Sequence, residues 1–171
     1  HRDLHSFPTR RSSDLIKGSR ILWIDDTPEA ILGERRILRA LGLEIHTSNN
    51  KETTLNLINR DTDFDLIISD IQWIKNIKSM SVFYGGIELI QELRKSFKDE
   101  TIGSVKTIFY TAYNENQIKT IDAQTNFLSI ENTMLCFTIE ELIVNVIESL
   151  KIIRERPLKV KSKKAVYYRG N

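Results

Sequence analysis

Two short apolar segments that each end in a carboxylate constrain the fold of this chain most strongly. The first runs from Arg20 to Asp25 and the second from Asp65 to Asp70, and the interior of each is apolar apart from one serine in the second. Runs of this length and composition are typical of strands that are buried on both faces of a parallel sheet. Because parallel strands end at the same edge of a sheet, we expect the two terminal acids to lie near each other.

Helix signals alternate with these strand signals along the chain. Thr27 followed by Pro28 predicts the start of a helix, which Gly42 ends. Asn49 with Glu52 three residues later predicts the N-cap of a second helix. The other predicted elements are a strand over 43–47, a helix after 85–86, a strand over 107–111, a helix over 114–123 and a last helix that begins with the capping box of Thr138 and Glu141.

This alternation predicts an α/β domain, a doubly wound five-stranded parallel sheet in the flavodoxin-like order 2-1-3-4-5 with helices on both faces. In such a sheet, ligands bind beyond the carboxyl ends of the strands, where the strand order reverses. The reversal lies between strands 1 and 3, which end in Asp25-Asp26 and in Asp70. The sequence therefore places three carboxylates at the expected binding crevice.

Three carboxylates in one crevice repel one another, so they either keep a proton or hold a cation. Mg²⁺ suits such a site because it is commonly held by one or two carboxylates while it keeps several waters and accepts phosphate oxygens. A carboxylate can also attack phosphorus to give an acyl phosphate, and a bound metal offsets the charge of the incoming phosphoryl group. The residues therefore indicate phosphoryl chemistry with Mg²⁺ as cofactor.

Four segments, in their order along the chain, resemble the receiver domain of response regulators in two-component signalling. They are Ile21 to Asp26, Asp65 to Asp70, Gly86 to Ile90 and Ile108 to Ala112. The resemblance implies a phosphoacceptor domain of a phosphorelay whose Mg²⁺-dependent phosphorylation modulates a partner or an output domain. It also implies a histidine kinase or phosphotransfer protein as the donor, and no enzymatic activity beyond self-phosphorylation and autodephosphorylation.

The resemblance also implies a role for each matching residue. Asp25, Asp26 and Asp70 would bind the metal, and Asp70 would accept the phosphoryl group. The backbone carbonyl of Gln72 would be a further metal ligand. Thr111 would hydrogen-bond the phosphoryl group and switch position when it arrives, and Ala112 would leave room for it.

The sequence departs from the family at two places. Receivers usually carry a lysine at the end of the fifth strand, and this chain has none between Lys119 and Lys151. The last strand has two possible registers, 126–130 and 133–137, which put Ile130 or Leu135 at that place. The segment 71–84 is about eight residues longer than the corresponding loop and unusually apolar, so it is either a lid or partner-binding patch, or a loop that folds down over the sheet edge.

These departures keep a second function open, a degenerate pseudo-receiver that works by phosphorylation-independent protein interaction. An enzymatic alternative, a phosphatase of the haloacid-dehalogenase class, is disfavoured. That class has an Asp-x-Asp motif after its first strand, and Asp25-Asp26 lacks this spacing.

The two ends differ from the central domain, which we assign to residues 16–153. From Asp3 to Leu15 the chain resembles a translated sequencing adapter, so we expect 1–15 to be a non-native, disordered segment and the natural start to be missing. Residues 154–171 carry seven basic and one acidic residue, against 15 and 20 in 16–153. This tail is either a linker or a segment that touches nucleic acid or an anionic membrane, whereas the receiver part itself has no nucleic-acid-reading pattern.

The composition favours a cytoplasmic location. No apolar run reaches the roughly 20 residues that a membrane-spanning helix needs. The single cysteine, Cys136, cannot form an internal disulfide, which is compatible with a reducing compartment.

Overall fold

The computed structural model describes residues 10–61, 63–76, 78 and 81–155. This part of the chain contains six α-helices and seven strands, besides three short 3₁₀ turns. The helices are α1 (Arg10–Ile16), α2 (Leu32–Ala40), α3 (Lys51–Arg60), α4 (Gly85–Ser96), α5 (Glu115–Thr125) and α6 (Ile139–Glu155). The strands are β1 (Arg20–Ile24), β2 (Glu44–Ser48), β3 (Leu66–Ser69), β4 (Trp73–Asn76), β5 (Ser81–Phe83), β6 (Thr107–Tyr110) and β7 (Thr133–Cys136).

Five of the strands form one parallel sheet in the order β2-β1-β3-β6-β7. Counted in chain order, these are strands 2-1-3-4-5, so the predicted doubly wound sheet is confirmed. The order reverses beside β1, which pairs with β2 on one side and with β3 on the other. A crevice therefore opens beyond the ends of β1 and β3.

Alternate residues of the strands bury two separate apolar layers, one on each face of the sheet. In β1, Ile21 and Trp23 face α1, α2 and α6, whereas Leu22 and Ile24 face α3, α4 and α5. All four side chains are buried, as the two-residue period of a strand covered on both faces requires. The sheet is therefore a rigid base for the residues that follow its strands.

The ends of the domain differ from the predicted boundaries. Residues 10–15 belong to α1, whereas the sequence predicts a disordered segment over 1–15. The helix packs against α6 and ends in the buried Ile16. Helix α6 continues through Glu155, two residues into the predicted tail, and the guanidinium of Arg154 donates to the Ser19 hydroxyl at 3.1 Å. Residues 1–9 and 156–171 lie outside the described residues.

The segment 71–84 also differs from the predicted loop. Strands β4 and β5 pair antiparallel within it and form a hairpin apart from the main sheet. The ring of Trp73 is buried against the core and meets Phe83 edge to face, with 5.9 Å between the ring centroids. The hairpin thus packs onto the core beside α4 through Trp73, while Ile74 stays 43% exposed.

Local capping explains two smaller differences. Asn50, not Asn49, caps α3, and its side-chain oxygen accepts from the backbone N–H of Thr53 at 2.8 Å. At the start of α6, Thr138 accepts from the N–H of Glu141, but the Glu141 carboxylate accepts from Phe137 instead of closing the predicted box. Both helices begin within one residue of the predicted place.

Within the described residues, no helix is both long and apolar enough to cross a lipid bilayer.

The start of α4 depends on a glycine. A Cβ atom on Gly86 would overlap the backbone carbonyl of Asp70, whereas a Cβ on Gly33 in α2 would meet nothing within 4 Å. We expect Gly86→Ala to lower the free energy of unfolding by about 1–3 kcal/mol, because the carbonyl belongs to rigid backbone that must shift. The control Gly33→Ala should raise it by about 0.5–1 kcal/mol. Urea unfolding of both variants checks this, and equal effects would contradict the close approach at Gly86.

Candidate functional site

Three carboxylates meet at the crevice where the strand order reverses. Asp25 and Asp26 follow β1, and Asp70 follows the neighbouring β3. The backbone N–H of Asp70 donates to the carbonyl of Ile24 at 3.0 Å, which holds the two strand ends level. One carboxylate oxygen from each of the three acids lies within 4.8 Å of the others. The structure thus brings together the three acids that the sequence singled out.

Each carboxylate is oriented by a backbone N–H group at 2.7 Å. Thr27 donates to Asp25, Ile71 donates to Asp70, and Ile74 in β4 donates to Asp26. The first two bonds are local, because donor and acceptor are at most two residues apart. The third joins Asp26 to the hairpin, 48 residues further along the chain. The hairpin therefore fixes one of the three acids.

Burial and the negative charge of a neighbouring acid keep Asp70 and Asp25 close to protonation. Burial, and next the negative charge of Asp25, raise the pKa of Asp70 to about 7, against the lowering effect of the backbone N–H groups of Ile71 and Gln72. Burial likewise raises the pKa of Asp25 to about 6, against the N–H of Thr27 and the positive charge of Arg35. A cation between the carboxylates would remove the repulsion, because it favours the charged form of each acid.

The donor set fits Mg²⁺ on chemical grounds. It consists of carboxylate oxygens alone, which are hard ligands, and their spacing allows more than one of them to share a single cation. Gln72 lies beside the cluster, two residues after Asp70, and its backbone N–H lowers the pKa of that acid. The predicted role of its carbonyl as a metal ligand stays a prediction.

A pocket of about 250 Å³ opens beside Asp25 and Asp70. Thr111 lies at its wall directly after β6, and its hydroxyl accepts from the backbone N–H of Tyr113 at 3.1 Å, which leaves the hydroxyl proton free for another acceptor. Ala112 lines the same pocket with a small, exposed side chain. Both residues therefore lie where the resemblance placed them, next to the acid cluster.

Phe137 lies at the end of β7, where the family has its lysine. The strand spans Thr133–Cys136, so the second predicted register is right, and Ile130 in the first register ends a short 3₁₀ turn instead. Yet Leu135 is not the residue at the pocket, which corrects the prediction. Phe137 lines the pocket instead, and its side chain cannot donate a hydrogen bond or carry a charge.

Helix α2 contributes residues that the sequence did not single out. Glu34 lines the pocket, and the hydroxyl of Tyr110 donates to its carboxylate at 3.3 Å. Burial and then the charge of Glu34 raise the pKa of Tyr110 to about 12, so this donor keeps its proton. Arg35, the next residue, donates to the carbonyl of Pro28 at 2.8 Å. In the sequence these residues look like the ordinary polar face of a helix.

A second cleft, of about 450 Å³, lies on the other side of Asp26 between the hairpin and the start of α3. Trp73 forms its wall and packs directly on Gly85, where a Cβ atom would collide with the indole ring. Glu52, Glu88 and Glu92 are at its rim, and Glu92 pairs with a lysine of α3 at 2.5 Å. Asp26 thus belongs both to the acid cluster and to the lining of an acidic groove.

Solved structures resemble this domain over most of its length. The receiver domain of the Francisella response regulator 1452 covers 80% of this chain and 99% of its own, with 20% identity and a TM-score of 0.57. The response regulator TrrA of Thermotoga maritima, in complex with Mg²⁺ and BeF, covers 77% of this chain and 98% of its own, with 26% identity and a TM-score of 0.53. The chain has the receiver fold.

The sequence itself gives no family match. No protein-family model matches the sequence, and no curated protein matches it either. An adenylate cyclase structure from Rhodopirellula baltica matches over 80% of this chain and 90% of its own, with 18% identity and a TM-score of 0.54. The fold is that of signalling receivers, and the residues of the site carry the information on function.

The raised pKa values predict a pH dependence of stability without metal. Below pH of about 4, Asp70 is protonated in the folded and the unfolded chain alike, whereas between about 4 and about 7 the folded protein holds a proton that the unfolded chain has lost. The contribution of Asp70 to stability therefore falls as the pH rises through this window. The variant Asp70→Asn lacks this titrating group. The free energy of unfolding of the wild type, minus that of the variant, should therefore fall between pH 4 and pH 8.

Urea unfolding in the presence of a chelator measures this difference, because titrating groups that do not interact with Asp70 contribute equally to both proteins. A difference that is independent of pH would contradict the raised pKa of Asp70. Saturating Mg²⁺ should abolish the decline, since it stabilises the charged carboxylates.

Proposed function

We propose that this protein is a signalling receiver that accepts a phosphoryl group on Asp70 in the presence of Mg²⁺, and that this changes its contact with a partner or output domain. The observation that carries the proposal is the convergence of Asp25, Asp26 and Asp70 at the strand reversal, with Thr111 at the wall of the adjoining pocket. The acids would hold the cation, and Gln72 would add its backbone carbonyl. The proposed location is the cytoplasm.

The chemistry requires only groups that the site supplies or the donor brings. A carboxylate oxygen of Asp70 attacks phosphorus, an O–P bond forms, and the bond from phosphorus to the donor breaks with its electron pair on the leaving group. When bound, Mg²⁺ would offset the charge of the transferred group. Thr111 has a free hydroxyl proton with which to bind a phosphoryl oxygen, and the small side chain of Ala112 leaves space for it.

The donor and the output follow from the same proposal. A histidine kinase or a phosphotransfer protein would carry the phosphoryl group on a histidine, whose neutral imidazole is the leaving group. The output would differ from that of a typical receiver, because Phe137 replaces the charged residue at the end of β7 and the hairpin adds a surface beside Asp26.

Acetyl phosphate tests the proposal without a known kinase. We expect the wild type with Mg²⁺ and acetyl phosphate to gain one phosphoryl group by intact-mass spectrometry, and acetate to leave as the bond to phosphorus breaks. Asp70→Asn should gain none, because an amide cannot form the acyl phosphate. Thr111→Ala should be modified more slowly, by a factor of about ten if it loses one hydrogen bond to a charged group.

Two controls make this test decisive. Asp99→Asn changes an exposed carboxylate in the turn after α4 and should leave the modification unchanged. A chelator should prevent the modification of the wild type, because it removes Mg²⁺. An unmodified wild type, under conditions that modify a known receiver, would refute the proposal, as would modification that persists in Asp70→Asn.

The uncharged wall at Phe137 favours a second candidate function, a pseudo-receiver that binds a partner without being phosphorylated. This function predicts that partner affinity is the same with and without Mg²⁺ and beryllofluoride, and that Asp70→Asn does not change it. A change in affinity with any of the three would argue against it and in favour of the phosphoacceptor.

A further inference from the structure

Phosphorylation would leave the pocket with too little positive charge. A phosphoryl group adds close to two negative charges at neutral pH. The pocket already contains Asp25 and Glu34, with Asp26 next to it, and one divalent cation offsets only two charges. Phe137 contributes none. A further cation is needed close to the place where the phosphoryl group would sit.

Arg35 is placed to supply that charge. It follows Glu34 directly and lies one helical turn beyond Ile31, and both of these residues line the pocket. Ile31 is the N-cap of α2 and Glu34 lies in its first turn, so Arg35 projects from the part of the helix that borders the pocket. Its positive charge lowers the pKa of Asp25, which shows that the guanidinium acts on the acid cluster.

The hydrogen bonds of Arg35 are incomplete. Its Nη2 atom donates to the carbonyl of Pro28, two residues after Asp26, which ties the side chain to the loop that carries the acid pair. Its Nε atom is buried and has no hydrogen-bond partner in the described part of the chain. Buried donors are normally paired, and an unpaired one is costly. A nearby anion would satisfy this donor without breaking the bond to Pro28.

We propose that Arg35 is the phosphoryl-binding cation of this site, in the place of the lysine that the chain lacks. The inference rests on the proposed function. A movement of the guanidinium towards the pocket would let Nε donate to a phosphoryl oxygen on Asp70 while Nη2 keeps its acceptor. Arginine suits this task because it stays charged and presents its donors in a fixed plane that matches phosphate oxygens.

Beryllofluoride, a stable mimic of a phosphoryl group on a carboxylate, separates this role from a structural one. Arg35→Gln keeps most of the side chain's length and a donor for Pro28 but removes the charge. At pH 8, above the pKa values of the acids, we expect it to bind Mg²⁺ as tightly as the wild type or more tightly, because a repelling charge is gone. Its affinity for beryllofluoride in saturating Mg²⁺ should fall at least tenfold.

The two affinities are measured by calorimetry on the full chain, together with two further variants. Arg36→Gln removes an exposed charge from the same helix and should leave both affinities unchanged. Arg35→Lys keeps the charge but lacks the planar guanidinium. Its affinity for beryllofluoride should lie between those of the wild type and Arg35→Gln. The rate of modification by acetyl phosphate should follow the same order.

The outcomes distinguish the inference from the function on which it rests. If the wild type binds beryllofluoride and Arg35→Gln binds it equally well, the role of Arg35 is refuted and the function stands. If Arg35→Gln loses Mg²⁺ and beryllofluoride together, Arg35 is structural and the inference is also refuted. If the wild type itself binds no beryllofluoride and is not phosphorylated, the proposed function fails and the inference fails with it.

Discussion

The parallel pairing of β1 with β3 ends two buried strands at the same level, and the rest of the site depends on this register. It forces Asp25, Asp26 and Asp70 close enough for their charges to repel. A shift of one residue would turn every side chain of β1 to the opposite face of the sheet, where the apolar layer is already filled. The stability of the core therefore maintains an arrangement of acids that is unfavourable by itself. Cation binding and protonation are the two ways in which the protein can relieve it.

The fold and the acid cluster could be predicted from the sequence, because both follow from short-range patterns and one topological rule. The apolar runs before Asp25 and Asp70 are visible as strands, and α/β sheets place their ligands where the strand order reverses. The place of Thr111 could be predicted in the same way, because the strand before it is an equally clear apolar run. These positions do not depend on how any loop packs.

Other features depended on packing that the sequence does not reveal. Phe137 reaches the pocket because β7 begins late, after a 3₁₀ turn that buries Phe127 in the core, and no local signal chooses that register. The segment of β4 and β5 contains no glycine or proline that would mark a hairpin turn. The sequence therefore does not predict these two strands. Arg35 looked like any surface residue of a helix. Its unpaired Nε atom exists only in the folded protein.

The hydrogen bond from Ile74 to Asp26 makes the hairpin part of the same energetic unit as the acid cluster. Anything that pulls β4 away from the core removes a donor from Asp26 and so alters the affinity of the cluster for a cation. Linkage is reciprocal, so a cation at the cluster must alter the ease with which β4 moves by the same free energy. Movement of the inserted hairpin is thus coupled to cation binding at the three acids. A protein that bound the hairpin from outside would therefore respond to cation binding without contacting the acids.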